Sequence, residues 1–249
     1  MEKITSRKNE YIRHIRLLCS DAQYRREKGL FVCDGMKLLR EAVSFGAEIS
    51  SVLWKEQAEE LEGLKCEKQY SAPAELFDYA SPMKNSPGPV FAVKIPAEKS
   101  SQKLRNAIVL ENLQDPGNVG TVIRTANAFN IDAVILTGNC ADIYNPKTVR
   151  ATMGAVFRQK LIVKELNELG DYLKENELPL YGAALSERAV DMRSIELKNA
   201  AVAVGSEGRG LSREILNICQ REIIIPMNPD SESLNAAVAA SVLMWEMSR

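Results

Sequence analysis

The sequence has few of the residues on which metal sites, disulfide frameworks and histidine-based catalysis depend. Among its 249 residues there is one histidine, His14, and the five cysteines are scattered without a CxxC pair. Zinc sites and disulfide frameworks need clustered ligands or paired cysteines, so we expect neither. A catalytic triad would have to use His14, which lies between Arg13 and Arg16 and is more typical of a solvated helix. No metal is expected.

Long hydrophobic runs are also absent. The longest ones, such as residues 133–136 and 222–227, are far shorter than the roughly 20 residues that cross a bilayer. The first ten residues, MEKITSRKNE, are charged and lack the apolar stretch of a secretory signal. We therefore expect no membrane segment and a cytoplasmic location.

The phosphate-binding fingerprints of common nucleotide enzymes are missing as well. Neither the GxxxxGK[ST] pattern of a Walker loop nor the GxGxxG pattern of a dinucleotide fold occurs. A nucleotide-dependent enzyme of doubly wound fold is thus an alternative without its usual signature. Thermal stabilisation by adenosine nucleotides would distinguish it.

Charge is nearly balanced over the chain but uneven along it. The formal net charge is −1, whereas residues 1–40 contain ten Lys or Arg against five Asp or Glu. A basic N-terminal face can contact nucleic-acid phosphates even on a neutral protein. From charge alone, a solvated helix surface is an equally good interpretation.

The composition divides the chain into two domains. Residues 96–106, PAEKSSQKLRN, are polar and lack apolar periodicity, which is typical of a linker. We predict an N-terminal domain over residues 1–97, a linker over 98–106 and a second domain over 107–249. Within the first, YIRHIRLLC and MKLLREAVSF have helical periodicity, and LFVCD, ISSVLW and VFAVKI indicate short strands. This predicts a small α/β domain.

The second domain alternates apolar runs with helical stretches. The runs are at 107–110, 133–136, 160–163, 178–185, 201–205 and 222–227. Continuous apolar strands alternating with helices predict an α/β fold whose mostly parallel sheet has helices on both faces. Ligands bind such sheets at the carboxyl ends of the strands. Functional residues are therefore expected directly after these runs.

Three polar or glycine-rich loops follow three of the runs. The first is ENLQDPGNVGTVIRTANAF, the second is VAVGSEGRGLS, and the third is EIIIPMNPDSES, which leads into a helix from Leu234. Ser212 is expected to cap the helix after the second loop, and Ser231 or Ser233 the helix after the third. Taken singly, each loop is also explained as a capped turn without a ligand.

Together, the segments NLQDPGNVGTVIRTANAF, VGSEGRGLS and IPMNPDSESLNAAVAAS resemble the three signature motifs of the SpoU/TrmH class of SPOUT RNA methyltransferases. The N-terminal part also resembles the substrate-binding domain of that family, with Asp34-Gly35 where members usually have Glu-Gly. The resemblance implies a homodimer that transfers a methyl group from S-adenosylmethionine to a ribose 2′-hydroxyl in RNA. It also implies a deep trefoil knot in the C-terminal domain, which periodicity cannot predict.

The resemblance further implies roles for individual residues. Cofactor-binding positions are matched by Gly205, Ile225 and Leu234, with Met227 and Glu207 nearby. The catalytic arginine is matched by Arg124, and its polar neighbours by Asn118, Ser233 and Asn235, with Glu207 shaping the loop.

Arg124 is proposed in the family to be the general base. Because a guanidinium with a pKa above about 12 accepts protons poorly, we interpret Arg124 as binding the target phosphate and orienting the 2′-hydroxyl. RNA docking on the N-terminal domain is predicted through Arg7, Lys8, Arg25, Arg26 and Lys28.

A catalytically inactive SPOUT-fold protein that binds RNA as an assembly factor is the main alternative. The presence of all the polar motif residues disfavours it, and a methyl-transfer assay would decide. Family analogy favours ribosomal over transfer RNA. The sequence leaves open which nucleotide is modified and whether its base matters.

Overall fold

The computed structural model describes residues 1–56, 61, 63–66, 68–97, 103–228, 230 and 233–249. Most of the predicted linker, residues 98–102, and the candidate cap Ser231 lie outside the described residues. The chain divides into two compact units, one of Met1–Ala97 with Asp142–Phe157 and one of Glu98–Ala141 with Arg158–Arg249. The segment 142–157 therefore does not follow the continuous division that we predicted from composition.

The elements are numbered in chain order. The strands are β1 (Glu2–Lys3), β2 (Leu30–Asp34), β3 (Ile49–Lys55), β4 (Lys68–Ala72), β5 (Val90–Lys94), β6 (Ala107–Glu111), β7 (Ala133–Thr137), β8 (Lys160–Val163), β9 (Leu180–Ala183), β10 (Val190–Asp191), β11 (Ala201–Val204) and β12 (Arg221–Ile224). The helices are α1 (Glu10–Ser20), α2 (Ala22–Lys28), α3 (Met36–Ser44), α4 (Ala74–Ala80), α5 (Pro116–Ala128), α6 (Pro146–Ala151), α7 (Leu166–Glu175), α8 (Arg213–Ile218) and α9 (Ala236–Met247).

The first unit contains a mixed sheet of five strands in the order β1-β4-β3-β5-β2. The β5 strand pairs antiparallel with both β2 and β3, whereas β4 pairs parallel with β1 and β3. The predicted strands and helices are present as β2, β3, β5, α1 and α3. Helix α1 buries Ile12, Ile15 and Leu18, which recur at the spacing of one helix face.

Within the first unit, residues 142–157 pack against β2 and bind α2. Phe31 on β2 lies with its ring centroid 4.8 Å from that of Tyr144 and 6.3 Å from that of Phe157. The Arg25 guanidinium donates to the Asp142 carboxylate over 2.6 and 3.0 Å and to the Leu18 carbonyl over 2.6 Å. These contacts leave this segment an integral part of the first unit.

The Arg25 interactions correct one sequence prediction. The residue is 3% exposed, and its guanidinium is satisfied inside the protein. A buried, paired arginine cannot contact a phosphate without breaking those bonds, so the prediction of Arg25 as an RNA contact is wrong. Sequence alone could not reveal this, because Asp142 is 117 residues away.

The second unit contains a seven-stranded sheet in the order β10-β12-β9-β11-β6-β7-β8. Every strand pair in it is parallel, which confirms the predicted parallel α/β sheet. One face packs against α7 and α8, while α5 and α9 pack on each other and contact β7 and β11. The central strands are consequently buried on both faces, as in other parallel sheets. In the described ranges, no helix has the length and apolar character to cross a membrane.

Candidate active site

The carboxyl ends of four neighbouring strands, β12, β9, β11 and β6, bring the site loops together. The loops after β9, β11 and β12 and the start of α9 surround a cavity of about 450 Å³. The loops after β6 and β11 surround a second cavity of about 800 Å³. Ser206–Leu211 line both cavities, so this segment separates them. The strand-end position agrees with the expectation from the sequence.

The loop after β11 folds back on itself so tightly that its first residue must be glycine. A Cβ atom on Gly205 would lie 2.1 Å from both the carbonyl carbon and the oxygen of Gly210. The Gly210 N–H donates to the Ser206 carbonyl oxygen over 2.9 Å, and the two residues form an isolated antiparallel bridge. No side chain larger than hydrogen fits at residue 205 while this turn keeps its shape.

The far end of the same loop is fixed by a carboxylate on β6. Glu111 is 1% exposed, and its Oε2 accepts the Ser212 N–H over 2.8 Å. The Ser212 hydroxyl accepts the Ile215 N–H over 3.2 Å, which confirms Ser212 as the cap of α8. Glu111 thus joins the first motif to the second. Glu111 was not predicted from the sequence, although a charged residue that ends an apolar strand is a usable signal.

The smaller cavity has mainly apolar walls. Its lining includes the five residues that the sequence resemblance assigns to the cofactor, namely Gly205, Glu207, Ile225, Met227 and Leu234. Ser233 lines it as well. Side chains from segments about 30 residues apart are therefore brought to one place, as the resemblance implies.

A polar cluster joins all three motifs. The Asn118 side-chain amide donates to Glu207 Oε1 over 2.7 Å, and the Asn235 amide donates to the same oxygen over 2.6 Å. The Asn235 amide also lies 3.3 Å from Asn118 Oδ1. One carboxylate oxygen accepting two amide donors fixes the orientation of both side chains. The Asn118, Glu207 and Asn235 side chains form one hydrogen-bonded unit.

Asn235 has a second role that the sequence analysis assigned to serine. Its Oδ1 accepts the Ala237 and Val238 N–H groups, so Asn235 is the N-cap of α9, which begins at Ala236. The prediction that Ser233 caps a helix starting at Leu234 is wrong. Asparagine and serine are equally good caps, and the sequence offered no criterion to choose. The cap fixes the Asn235 backbone, while its amide nitrogen reaches the cluster.

Arg124 stands apart from this cluster. It lies on α5, is exposed, and has no hydrogen-bond or ion-pair partner among the residues that the structure describes. Asn118, in the first turn of the same helix, donates its backbone N–H to the cap Asp115 over 2.8 Å. A guanidinium without an internal partner is available to an external anion. The structure places Arg124 on the helix expected from the sequence, without direct contact to Asn118.

The larger cavity has mostly polar walls. It is lined by Asn112, Gln114 and Asp115 after β6, by Asn139 after β7, and by residues 206–212. Asn112 has a positive φ of 54°, and its Oδ1 accepts the Asn139 N–H over 2.8 Å, which ties the two loops together. Gln114 and Asn139 were not identified from the sequence, because isolated amides in loops carry no distinctive signal. Within the described residues, no cluster of three or more metal-ligating side chains is present.

In the first unit, four of the predicted RNA contacts are exposed, namely Arg7, Lys8, Arg26 and Lys28. One of them, Arg7, stacks on Tyr79 together with Arg16, which was not predicted from the sequence. The guanidinium carbons of Arg7 and Arg16 lie 4.8 and 4.1 Å from the Tyr79 ring centroid. Arg16 also donates to the Tyr79 carbonyl oxygen over 2.8 Å. Tyr79 thus holds two arginines in place, Arg16 on α1 and Arg7 in the segment before it.

Known proteins resemble the chain in both sequence and structure. The sequence profile of the SpoU rRNA Methylase family matches residues 105–245. The chain is 30% identical over 255 residues to the 23S rRNA (guanosine(2553)-2'-O)-methyltransferase RlmP of Bacillus subtilis (strain 168), covering 99% of each.

Two solved structures share the fold over nearly the whole chain. The AdoMet-bound rRNA methyltransferase from Sinorhizobium meliloti superposes with a TM-score of 0.86 at 25% identity, covering 99% of this chain and 97% of that one. The SpoU methyltransferase AviRb from Streptomyces viridochromogenes gives a TM-score of 0.86 at 25% identity, covering 97% of each chain.

Proposed function

Because the chain belongs to the SpoU rRNA methylase family, we propose that it transfers a methyl group from S-adenosylmethionine to a ribose 2′-hydroxyl in ribosomal RNA. The observation that carries the proposal is the convergence of the second and third motifs on one cavity, where Glu207 accepts hydrogen bonds from Asn118 of the first motif and from Asn235. The name of the Bacillus subtilis relative supports both the ribose position and the ribosomal substrate. A cytoplasmic location is part of the proposal, and the ribosomal RNA substrate in that relative's name supports it.

The apolar cavity fits S-adenosylmethionine as the cofactor. Its volume of about 450 Å³ lies within the range of small-molecule sites, about 300–1,000 Å³. The Gly205 backbone borders the cavity, and the missing Cβ lets the loop after β11 fold back tightly to form the cavity wall. Ile225, Met227 and Leu234 offer apolar contact. When bound, the cofactor supplies a methyl group on a positively charged sulfur.

The chain's own residues align the acceptor hydroxyl. Arg124 is assigned to the target phosphate and to the orientation of the 2′-hydroxyl, because its guanidinium is exposed and unpaired in the described structure. Asn118 and Asn235 are held by Glu207 and can present fixed polar atoms to the ribose. Such preorganised groups favour the reacting geometry, and the proton that the 2′-hydroxyl loses on methylation passes to solvent water. Ser233 lies at the cavity edge and is assigned a polar contact there.

Replacement of Arg124 by lysine tests this assignment. Lysine keeps the charge but loses the planar two-pronged donor, so kcat is expected to fall by about 10²-fold. Cofactor affinity, measured by isothermal titration calorimetry with S-adenosylhomocysteine, should stay within twofold because Arg124 does not line the apolar cavity. Near-normal turnover of Arg124→Lys would contradict a role for the two-pronged guanidinium in orienting the 2′-hydroxyl.

The first unit is proposed to dock the RNA through Arg7, Lys8, Arg26 and Lys28. Arg16, stacked on Tyr79, extends this set. Contacts to phosphates release counterions, so RNA affinity should fall as salt rises. Replacing both stacked residues, as Arg7→Ala/Arg16→Ala, is expected to make the salt dependence shallower by about two phosphate contacts. An unchanged slope would exclude them.

The homodimer is proposed from an exposed apolar face on α9. Val238 and Trp245 are 49% and 57% exposed and lie seven residues apart, on one side of the helix. Phe129 packs its ring edge-on against Trp245, with centroids 5.5 Å apart. Large exposed apolar side chains at a regular spacing are typical of an interface. Sedimentation velocity of Trp245→Glu should show a monomer, with Val163→Glu as an exposed control outside α9; a wild-type monomer would refute the dimer.

The trefoil knot is also part of the proposal. The strand order supports it, because β12 returns beside β9 and not beside β11, with which α8 connects it in sequence. Knots are rare in proteins, and the proposal therefore rests on the family resemblance together with this strand order. An experimental structure in which the chain from β11 to α9 does not pass through an earlier loop would refute it.

Methyl transfer itself separates the enzyme from the alternative of an inactive RNA-binding assembly factor. Radiolabelled S-adenosylmethionine and total RNA from cells lacking the gene are the reactants, and incorporation into ribosomal RNA is expected. Asn235→Ala is the matched negative control, because it removes one amide from the Glu207 oxygen. Binding of RNA without any incorporation would favour the assembly factor. Mapping the 2′-O-methyl group in that RNA would identify the nucleotide.

A further inference from the structure

We propose that the polar cavity beside the cofactor pocket receives the target nucleotide and reads its base through the side-chain amides of Gln114 and Asn139. The inference rests on the proposed methyltransferase function. The cavity volume of about 800 Å³ is within the range of small-molecule sites and accommodates a nucleotide turned out of a helix. Neither amide is hydrogen-bonded to another described residue.

The location follows from the wall that the two cavities share. Residues 206–211 line both, so a ligand in the polar cavity is separated from one in the apolar cavity by a single loop. Methyl transfer requires donor and acceptor within a few ångströms of each other. Glu207, which holds Asn118 and Asn235, lies on this shared wall. An acceptor nucleotide in the polar cavity would place its ribose at this wall.

The chemistry of the lining suits a base. Gln114 and Asn139 are exposed, and neither side-chain amide has a hydrogen-bond partner within the described part of the chain. Each amide offers donors and an acceptor, which match the Watson–Crick edge of an unpaired base. The Asn139 N–H donates to Asn112 Oδ1 over 2.8 Å, so the backbone that carries one of the two amides is held in place.

The lining of the cavity also carries a charge suited to the phosphate. Arg209 lines the cavity, is exposed and has no ion-pair or hydrogen-bond partner in the described ranges. Asp115 on the opposite loop is occupied as the cap of α5, accepting the Asn118 N–H. The polar cavity thus combines two free amides with one free guanidinium, which fits a nucleoside phosphate better than a neutral metabolite.

The test is methylation of total ribosomal RNA from cells lacking the gene, followed by nuclease digestion and mass spectrometry of the 2′-O-methyl nucleosides. Gln114→Ala and Asn139→Ala are each expected to lower kcat/KM for RNA at least about fivefold, the cost of losing one hydrogen-bonded pair to a base. The double variant should also methylate additional nucleosides. Gln220→Ala, an exposed glutamine outside both cavities, is the matched control and should behave as wild type.

Two further measurements distinguish base reading from a merely structural effect. The affinity for S-adenosylhomocysteine should be unchanged in both amide variants, whereas Arg209→Ala should reduce the salt dependence of RNA binding by about one phosphate contact. Unchanged kcat/KM and nucleoside profile in Gln114→Ala/Asn139→Ala, with an active wild type, would overturn the base-reading cavity alone. A wild type that methylates no RNA would overturn the proposed function and this inference with it.

Discussion

Replacement of Gly205 by alanine isolates the contribution of a single close backbone contact to cofactor binding. The added Cβ would lie 2.1 Å from the Gly210 carbonyl carbon and 2.4 Å from the Leu211 nitrogen. Ordinary contacts begin near 3.4 Å, so the turn must open by about 1.3 Å, the difference from 2.1 Å. The contacted atoms belong to the backbone, which cannot swing away as a side chain would. Residue 205 is not in the left-handed region, so the effect is steric and not conformational.

The magnitude follows from what this turn lines. Overpacking of this kind typically costs about 1–3 kcal/mol, which for 249 residues lowers the melting temperature by roughly 2–12 °C. If cofactor binding must restore the original shape of the turn at this same cost of about 1–3 kcal/mol, the dissociation constant of the cofactor rises by about 5- to 150-fold. Isothermal titration calorimetry with S-adenosylhomocysteine measures it, and circular dichroism measures the unfolding.

Gly208→Ala is the control in the same loop. A Cβ there meets nothing within 4 Å, so both affinity and melting temperature should match those of the wild type. Equal affinity of Gly205→Ala and wild type would refute the steric argument. Equal losses in the two variants would show that the loop needs flexibility and not close approach.

Three other substitutions test separate parts of the structure. Glu111→Ala removes the acceptor of the backbone N–H that begins α8, and calorimetry should show cofactor affinity reduced by about tenfold, with Glu111→Gln less affected. Asp142→Ala leaves the buried Arg25 charge without its partner and should lower the free energy of unfolding by about 3 kcal/mol, whereas exposed Glu48→Ala should lower it by less than about 1 kcal/mol; equal effects in urea denaturation would refute the pairing argument. Asp34→Asn should remove a pH dependence of stability, measured by urea denaturation between pH 4 and 7.

The sign of that pH dependence follows from the Asp34 environment. Burial raises the pKa of its carboxyl above the ordinary 3.8, although the hydroxyls of Ser81 and Ser86 donate to it and Arg150 lowers the pKa. The folded state therefore binds the proton more tightly than the unfolded state. Stability from this group is present at low pH and is lost as pH rises from 3.8 through the folded-state pKa. A wild type and Asp34→Asn with parallel pH profiles would contradict the raised pKa.

The second sheet could be predicted well from the sequence, because strands that are buried on both faces consist almost entirely of apolar residues. Runs such as residues 107–110 are apolar throughout, which only a strand buried on both faces requires. Two missed strands, β1 and β10, have two residues each, and the missed β4 is largely polar. Such short or polar strands form because a neighbouring strand offers hydrogen bonds, and their own residues give no strand pattern. Their pairing depends on residues tens of positions away, which periodicity does not contain.

The candidate site shows the same division. Asn118, Glu207 and Asn235 could be identified because they lie in loops that resemble known motifs. That both amides converge on one oxygen of Glu207 could not, since the bonds span 89 and 28 residues. The prediction for Arg25 was wrong for the opposite reason. The basic residues near it in sequence indicated an exposed RNA contact, whereas the distant Asp142 carboxylate binds its guanidinium inside the protein.

Because residues 142–157 belong to the first unit, the two units cannot be separated into fragments by one cut in the chain. The polypeptide leaves the second unit after Ala141 and re-enters it at Arg158, so the two units are joined by three covalent crossings. A fragment ending at residue 97 would leave Arg25 buried without its counter-charge and Phe31 without two aromatic neighbours. Neither unit can therefore be excised with a single cut. An isolated first unit would need residues 142–157 grafted back by a circularly permuted or spliced chain.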